Sequence, residues 1–413
     1  LGIIVQKFGG TSVASVEKIF NVANRILEEK QNGNDVVVVV SAMGKSTDEL
    51  ISLAKQVTSN PSKQELDMLV TTGEQVTISL LSMALHEKGY EAVSMTGWQA
   101  GIQTEPIHGS ARIQNIDTTR VQNALNEGKV VVVAGFQGVT EDGEITTLGR
   151  GGSDTSAVAL AAALNADRCD IYTDVTGVYT ADPRYIKSAS KLSSISYDEM
   201  LELANLGAGV LHPRSVEFAK NYKIPLVVRS SMERVEGTYV LEEANMEENL
   251  VVRGVAFEKD ITKLTVFGLP KEIESLSSVF TPLAKHNVNV DIIIQNVSDK
   301  KLNTLSFSVK TDELQDALNV LENNREAIGY DHLEYESGLA KVSIVGSGMI
   351  SNPGVAAKMF ASLSEEGIFV KMVSTSEIKV SAVVNEEQML AAAEKLHETF
   401  GLSKVNQPVA AVK

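Results

Sequence analysis

Along the first 230 positions, apolar residues come in short unbroken runs. Ile3-Ile4-Val5, Val36 to Val40, Val130 to Val133, Ile171-Tyr172 and Leu226 to Val228 show no alternation with polar residues. A strand that is apolar on both sides is buried on both faces, as in a parallel sheet covered by helices. Between these runs the period lengthens. Val16, Ile19, Phe20, Ala23, Ile26 and Leu27 fall on one helical stripe, and Asn32-Gly33 supplies its C-terminal stop. Strands alternating with helices predict a three-layer α/β/α domain with a mainly parallel sheet.

Residues 230–249, SSMERVEGTYVLEEANMEEN, are polar and acidic and read as a boundary. Beyond them one unit is written twice. Phe280, Leu283, Val288 and Val290 recur as Phe360, Leu363, Ile368 and Val370 at a constant offset. Each copy reads strand, loop, helix, strand, and is followed by an alternating strand (Leu305 to Val309; Lys379 to Val383) and another helix. The repeat predicts a duplicated βαββαβ unit.

With 413 residues, the chain is long enough for two or three domains, each with its own core. A net charge of −16 argues against nucleic acid or an anionic membrane as the main partner, because those are bound by basic patches. The single cysteine, Cys169, excludes an internal disulfide or a cysteine-based metal site and points to a reducing cytoplasm. No uninterrupted apolar run reaches the length of a membrane span, and LGIIVQKFGG lacks the basic start and apolar core of a signal peptide. A soluble cytoplasmic protein is expected.

Gly44-Lys45-Ser46-Thr47 resembles the end of a phosphate-binding P-loop. Such a loop needs an earlier glycine, separated from Gly44 by four residues. That position is Val39, inside a strand, and the P-loop reading fails. Two other turns are better placed. KFGGTS (7–12) follows the first strand, with Gly9 and Gly10 offering backbone N–H groups beside the charge of Lys7. GRGGSD (149–154) follows another strand and opens a helix of small residues, bringing Arg150 and Asp154 to one turn. Taken singly, each is ordinary turn chemistry, with Asp154 an N-cap and Lys7 a surface lysine. Together, at strand C-terminal ends, they point to a nucleotide or phosphate site in one crevice.

KFGGTS, VSAMGKSTDEL (40–50), TTGEQ (71–75), GRGGSDTSA and TDVTGVYTADPR (173–184), in this order, resemble the bacterial aspartokinases, most closely the monofunctional lysine-sensitive type. The resemblance spans essentially the whole chain. It implies an amino-acid-kinase domain over 1–245 and two ACT regulatory domains over 250–332 and 338–405, with exchange of strands between the two left open. It implies transfer of the γ-phosphoryl group of ATP, with Mg²⁺ carried by the phosphates, to the side-chain carboxylate of L-aspartate. This is the first step toward lysine, threonine and methionine, inhibited by an end product, most simply lysine. Carried onto this sequence, Lys7 and Asp154 are catalytic, and Thr47, Glu74, Arg150 and Ser153 hold aspartate. Lys7, Gly9, Gly10, Thr173, Asp174, Tyr179, Asp182 and Arg184 line the nucleotide site. Asn289, Asp291 and Gln295 in one repeat, and Thr375, Ser376 and Glu377 in the other, face the effector. Side-by-side ACT pairing implies a homo-oligomer built on a dimer.

The residue types suit that chemistry. A carboxylate nucleophile is already ionised at neutral pH, so no general base is needed. Catalysis then rests on positioning and on neutralising charge. The doubled repeats weigh against glutamate 5-kinase or UMP kinase, and the retained Lys7, Glu74, Arg150 and Asp154 against a non-catalytic amino-acid sensor. Two departures from the family pattern stand out. Gly209 replaces a lysine expected to reach the ATP phosphates; either a neighbour such as Arg214 compensates, or Lys7 and Mg²⁺ carry more of the load. The first repeat has Leu269-Pro270-Lys271-Glu272 where the second has the turn Asn352-Pro353-Gly354. Met246, in the acidic stretch, sits where a separately made regulatory half would start, or is simply a linker methionine.

Overall fold

A computed structural model describes residues 2–207, 209–243, 250–296 and 302–404; Met246 lies outside the described residues. Two compact units emerge: the first comprises residues 1–178, 191–205 and 209–247, the second 179–190, 206–208 and 248–413.

The first unit opens with β1 (Ile3–Phe8), α1 (Val16–Gln31), β2 (Asp35–Val40), α2 (Ser46–Val57), α3 (Lys63–Val70) and α4 (Thr72–Glu87). It continues through β3 (Ala92–Met95), β4 (Ile102–Thr104), β5 (Ile113–Ile116), α5 (Thr119–Asn126), β6 (Val130–Ala134), β7 (Gln137–Val139) and β8 (Ile145–Thr147). It closes with α6 (Gly152–Ala163), β9 (Arg168–Thr173), β10 (Ser194–Ser196), α7 (Tyr197–Asn205), α8 (Pro213–Tyr222), β11 (Leu226–Ser230) and β12 (Thr238–Leu241). The main sheet has the order β10-β12-β11-β9-β1-β2-β6-β3 and is parallel except where β11 meets β12. A small sheet, β5-β4-β7-β8, stands apart from it.

The unbroken valine runs form the centre of the main sheet. Val36 to Val40 and Val130 to Val133 are wholly buried, in register from Val37 with Val131 to Val40 with Ala134. Burying each such side chain contributes about 1.5–3 kcal/mol. In α1, Ile19, Val22, Ala23, Ile26 and Leu27 are buried, whereas Val16 at the start of the stripe is exposed. Ser15 caps this helix by accepting from the Lys18 amide at 3.3 Å. The joined α3–α4 run, Lys63–Glu87, is long and apolar enough by composition to cross a membrane, yet Ile78, Leu81 and Leu85 pack into the same core as α1. The acidic stretch read as a boundary contains β12, whose Thr238 and Val240 are buried, so the main sheet continues well past residue 230.

The second unit contains β13 (Gly254–Pro270), α9 (Ser275–Lys285), β14 (Ile293–Asn296), β15 (Leu302–Lys310), α10 (Leu314–Asn323) and α11 (Arg325–Ile328). It continues with β16 (His332–Val345), α12 (Val355–Glu365), β17 (Met372–Thr375), β18 (Lys379–Asn385) and α13 (Met389–Thr399). One sheet, β14-β15-β13-β16-β18-β17, runs through both repeats. The long strands serve both. Residues 261–267 of β13 pair with the first half of β16, and Gly254 to Glu258 pair with its second half, Lys341 to Val345. The fourth strand of the second repeat therefore precedes the first repeat in sequence. Leu283 and Leu363, equivalent by the repeat, are wholly buried in two separate cores. Gly354 enters α12 in a left-handed conformation (φ 98°), whereas Glu274 enters α9 in a helical one, as the differing turn sequences require.

Residues 179–190 belong to this second unit although the chain on either side of them belongs to the first. Ala181 and Ile186 sit in the apolar cluster with Val342, Leu363 and Leu396. Thr180 is hydrogen-bonded to the buried His397 ring at 2.8 Å, and its carbonyl accepts from the Val255 amide at 2.8 Å.

Candidate active site

Lys7 is the next-to-last residue of β1, held between Val39 of β2 and Ile171 of β9. Its ammonium lies 2.6 Å from the Asp154 carboxylate, and both side chains are only 13% exposed. The KFGG turn does not lead straight into α1, as expected, but into a short 3₁₀ turn, Gly10–Val13. A Cβ at Gly10 would come within 2.8 Å of the Ala42 carbonyl oxygen, so only glycine lets this turn close against the loop after β2. In that loop Gly44 donates its amide to the Gly10 carbonyl at 3.0 Å, and Thr47 is half-buried in the first turn of α2.

Glu74, in the first turn of α4, is 2% exposed rather than solvated. One carboxylate oxygen accepts from the Ala42 amide at 3.1 Å, and the other, Oε2, has no hydrogen-bond partner. Burial pushes this carboxyl up to about 8, against the opposing pull of the Glu74 and Ala42 amides. A buried carboxyl with a vacant oxygen is a receptor for a cation. The Ser41 hydroxyl, at the end of β2, bonds the Ser153 hydroxyl at 3.0 Å. These contacts gather the ends of β1 and β2 and the starts of α4 and α6.

In the GRGGSD turn, Gly149 (φ 77°) and Gly151 (φ 71°) are left-handed, and α6 begins at Gly152. Asp154 is therefore inside the helix, facing Lys7, and is not its N-cap. Arg150 is exposed on the same turn. A Cβ at Gly151 would fall 2.2 Å from Cγ of His212. Gly151→Ala is expected to destabilise the protein by about 1–3 kcal/mol and to raise the KM for the ligand held by this turn, as calorimetry and steady-state kinetics would register. His212 caps α8, its Nδ1 accepting from the Arg214 amide at 3.3 Å. Burial holds its imidazole below the usual pKa, opposed by Asp154 and reinforced by Arg214 and Arg150.

Arg214 does not stand in for the lysine missing at Gly209. Its guanidinium donates to the carbonyls of Leu148 and Ala111, each at 2.9 Å. Thr173 ends β9 beside β1, its hydroxyl donating to the exposed Asp174 carboxylate at 3.0 Å. Tyr179, Asp182 and Arg184 fall in the second unit, where Asp182 and Arg184 pair at 2.7 Å and Tyr179 is half-buried. Among the effector candidates, Asn289, Gln295, Thr375, Ser376 and Glu377 are exposed. Asp291 is already engaged by the Lys341 ammonium, which also lies 3.0 Å from Glu258. Among the described residues, no three His, Cys, Asp or Glu side chains gather to hold a metal ion. His212 and Asp67 went unmarked in the sequence, since a lone histidine and one acid on a charged helix carry no signal.

The amino acid kinase family model matches residues 2–230, and an ACT domain model matches 342–400. The chain is 72% identical over 403 residues to the aspartokinase of Bacillus sp. (strain MGA3), covering 98% of both. It is 67% identical over 404 residues to aspartokinase 2 of Bacillus subtilis (strain 168), covering 98% of this chain and 99% of that one. Among solved structures it resembles E. coli aspartokinase III in complex with aspartate and ADP, at 28% identity and TM-score 0.79 over 96% of this chain and 99% of that one. The complex of the same enzyme with lysine and aspartate gives TM-score 0.75 at 28% identity, over 97% and 99%. With the Lys7–Asp154 pair, the buried Glu74 and the paired glycine turns in place, the chain belongs to the aspartokinases of the amino acid kinase family.

Proposed function

We propose that this chain transfers the γ-phosphoryl group of ATP to the side-chain carboxylate of L-aspartate. One observation carries the reading: the Lys7–Asp154 pair opens α6 on the turn bearing Arg150, and Ser153 of that turn is bonded across the end of β2 to the loop over Glu74. Arg150 grips the α-carboxylate of aspartate through its fork of donors, and the vacant Glu74 oxygen receives the ammonium group. Thr47 and Ser153 supply neutral donors. The substrate carboxylate attacks phosphorus directly, with no proton to remove. Lys7, aligned by Asp154, and the amides of Gly9 and Gly10 neutralise charge on the transferring group. Thr173 and Asp174 lie on the nucleotide side; Tyr179, Asp182 and Arg184 are assigned to the nucleotide by family resemblance alone. The family resemblance carries Mg²⁺ on the ATP phosphates, and no step is assigned to it. An ATP-dependent hydroxamate assay run in parallel with aspartate, glutamate and UMP tests the assignment. Turnover of glutamate or UMP in preference to aspartate would overturn it.

The second unit serves as the amino-acid sensor. Lysine is the effector the family resemblance favours, and the exposed residues 289, 295 and 375–377 would meet it. Asp291 takes part only once its bond to Lys341 is exchanged. Because only the second repeat has the glycine turn before its helix, we expect one inhibitor class. Lysine alone should inhibit, and threonine should add little. Titrating both, singly and together, checks this, and strict synergy would refute it. The edge strands β14 and β17 expose Ile293, Ile294 and Val373, which supports a homo-oligomer built by pairing these modules.

A further inference from the structure

We propose that Asp67 and Arg214 are positioning residues of the reaction, a two-sided brace that sets the height of the Arg150 turn. The inference rests on the aspartate-kinase reading above. The turn 149–154 must hold a guanidinium, a hydroxyl and a carboxylate in fixed mutual positions, yet the strand before it, β8, has only three residues and its ladder with β7 ends at Thr147. Backbone groups beyond a strand end would ordinarily be left to water, and a wet strand end moves. Here side chains from two helices take over from the missing ladder.

From α3, the Asp67 carboxylate, itself buried, accepts from the Thr147 amide at 3.1 Å, the Thr147 hydroxyl at 2.7 Å, the Gly109 amide at 2.9 Å and the His108 ring at 3.2 Å. From α8, the Arg214 fork joins the Leu148 carbonyl to that of Ala111. The remaining groups are also satisfied, since the Leu148 amide donates to the Phe136 carbonyl and the Ala111 amide to the Thr147 carbonyl, both at 2.9 Å. All four backbone groups of the two residues before Gly149 are thus bonded, one by each of the two charged side chains. The His212 ring then packs on Gly151 from the start of the same helix that carries Arg214. Neither Asp67 nor Arg214 is free for substrate. Each acts through Thr147 and Leu148 on the residue that grips aspartate, and displacing such a residue by about 1 Å can cost up to about 100-fold.

The chemistry makes the two sides respond differently to conservative change. In D67N the side-chain amide would keep one acceptor oxygen for the backbone N–H groups and turn its –NH₂ to the Thr147 hydroxyl, which accepts as readily as it donates. A lysine at 214 keeps the charge but cannot bridge two carbonyls as a planar fork does. The full-length variants D67A, D67N, R214A and R214K should be compared by kinetics, unfolding midpoint and amide hydrogen exchange over residues 147–152. D67A, R214A and R214K are expected to raise the KM for aspartate by about tenfold or more and to speed exchange at Thr147 and Gly152, with the KM for ATP within about threefold of the parent. D67N should stay close to the parent. Equal rises in both KM values, a parent-like R214K, or a D67N no better than D67A would overturn the brace. Should D67A fail to fold, the contrast between D67N and R214K still decides. A parent protein that does not phosphorylate aspartate would sink the functional reading, whereas the exchange rates would still judge the brace by themselves.

Discussion

Lys7→Ala is expected to lower kcat by at least about 100-fold, the scale of losing one charge-stabilising donor in a water-excluded site. The loss is compound. The ammonium that would face the transferring phosphoryl group disappears, and Asp154, with which it makes a 2.6 Å pair, is left as a poorly solvated negative charge where more negative charge must gather. Arg214 cannot substitute, because its guanidinium is committed to two carbonyls. The fold should survive, since the Lys7 backbone is held by strands on both sides. Single-turnover kinetics with a circular-dichroism melt would separate the two effects. Near-normal turnover in a folded variant removes Lys7 from the role.

Glu74→Gln is expected to raise the KM for aspartate by about 100-fold at pH 8, the range of deleting one partner of a buried charge pair, about 2–5 kcal/mol. The pH dependence follows from its carboxyl, raised by burial to about 8. Near neutrality the free enzyme holds Glu74 protonated, and binding an ammonium group demands that the proton leave. Aspartate affinity should therefore climb about tenfold per pH unit up to about pH 8 and then level off, with proton release on binding below that point. The glutamine variant should show neither the climb nor the proton release in calorimetry. Stability moves the opposite way. Between the ordinary carboxyl value of 4.5 and about 8, the unfolded chain has lost this proton and the folded one has kept it. The Glu74 contribution is fully present below 4.5 and is lost as pH rises to about 8. A pH-independent KM in the parent protein would exclude Glu74 as the ammonium receptor.

The main sheet was legible because burial on both faces leaves its mark directly in composition: Val36 to Val40 can hardly be anything else. The repeats were legible because equivalent core positions such as Leu283 and Leu363 must both be apolar. What escaped was everything decided by partners distant in sequence. β12 hides among acidic residues because only Thr238 and Val240 face inward. The exchange of strands between the repeats came from the family resemblance alone, because residues 254–258 look the same whichever neighbour they pair with. At the candidate site, Lys7, Glu74, Arg150 and Asp154 were marked by short motifs, but the burial of Glu74 was not, since a helical TTGEQ is equally compatible with solvent. The bracing roles of Asp67 and Arg214 could not be recognised at all, because their partners are backbone atoms and backbone atoms have no letter in a sequence.

The twelve residues 179–190 limit how the protein can be cut. A single scission after the main sheet would leave the amino-terminal fragment with Ala181 and Ile186 stripped of their apolar surroundings. A polypeptide begun at Met246 would lack the same plug, leaving a hollow beside Val342 and Leu396 and an orphaned imidazole at His397. Recombinant fragments divided there should regain solubility only when co-expressed or when that plug is supplied in trans.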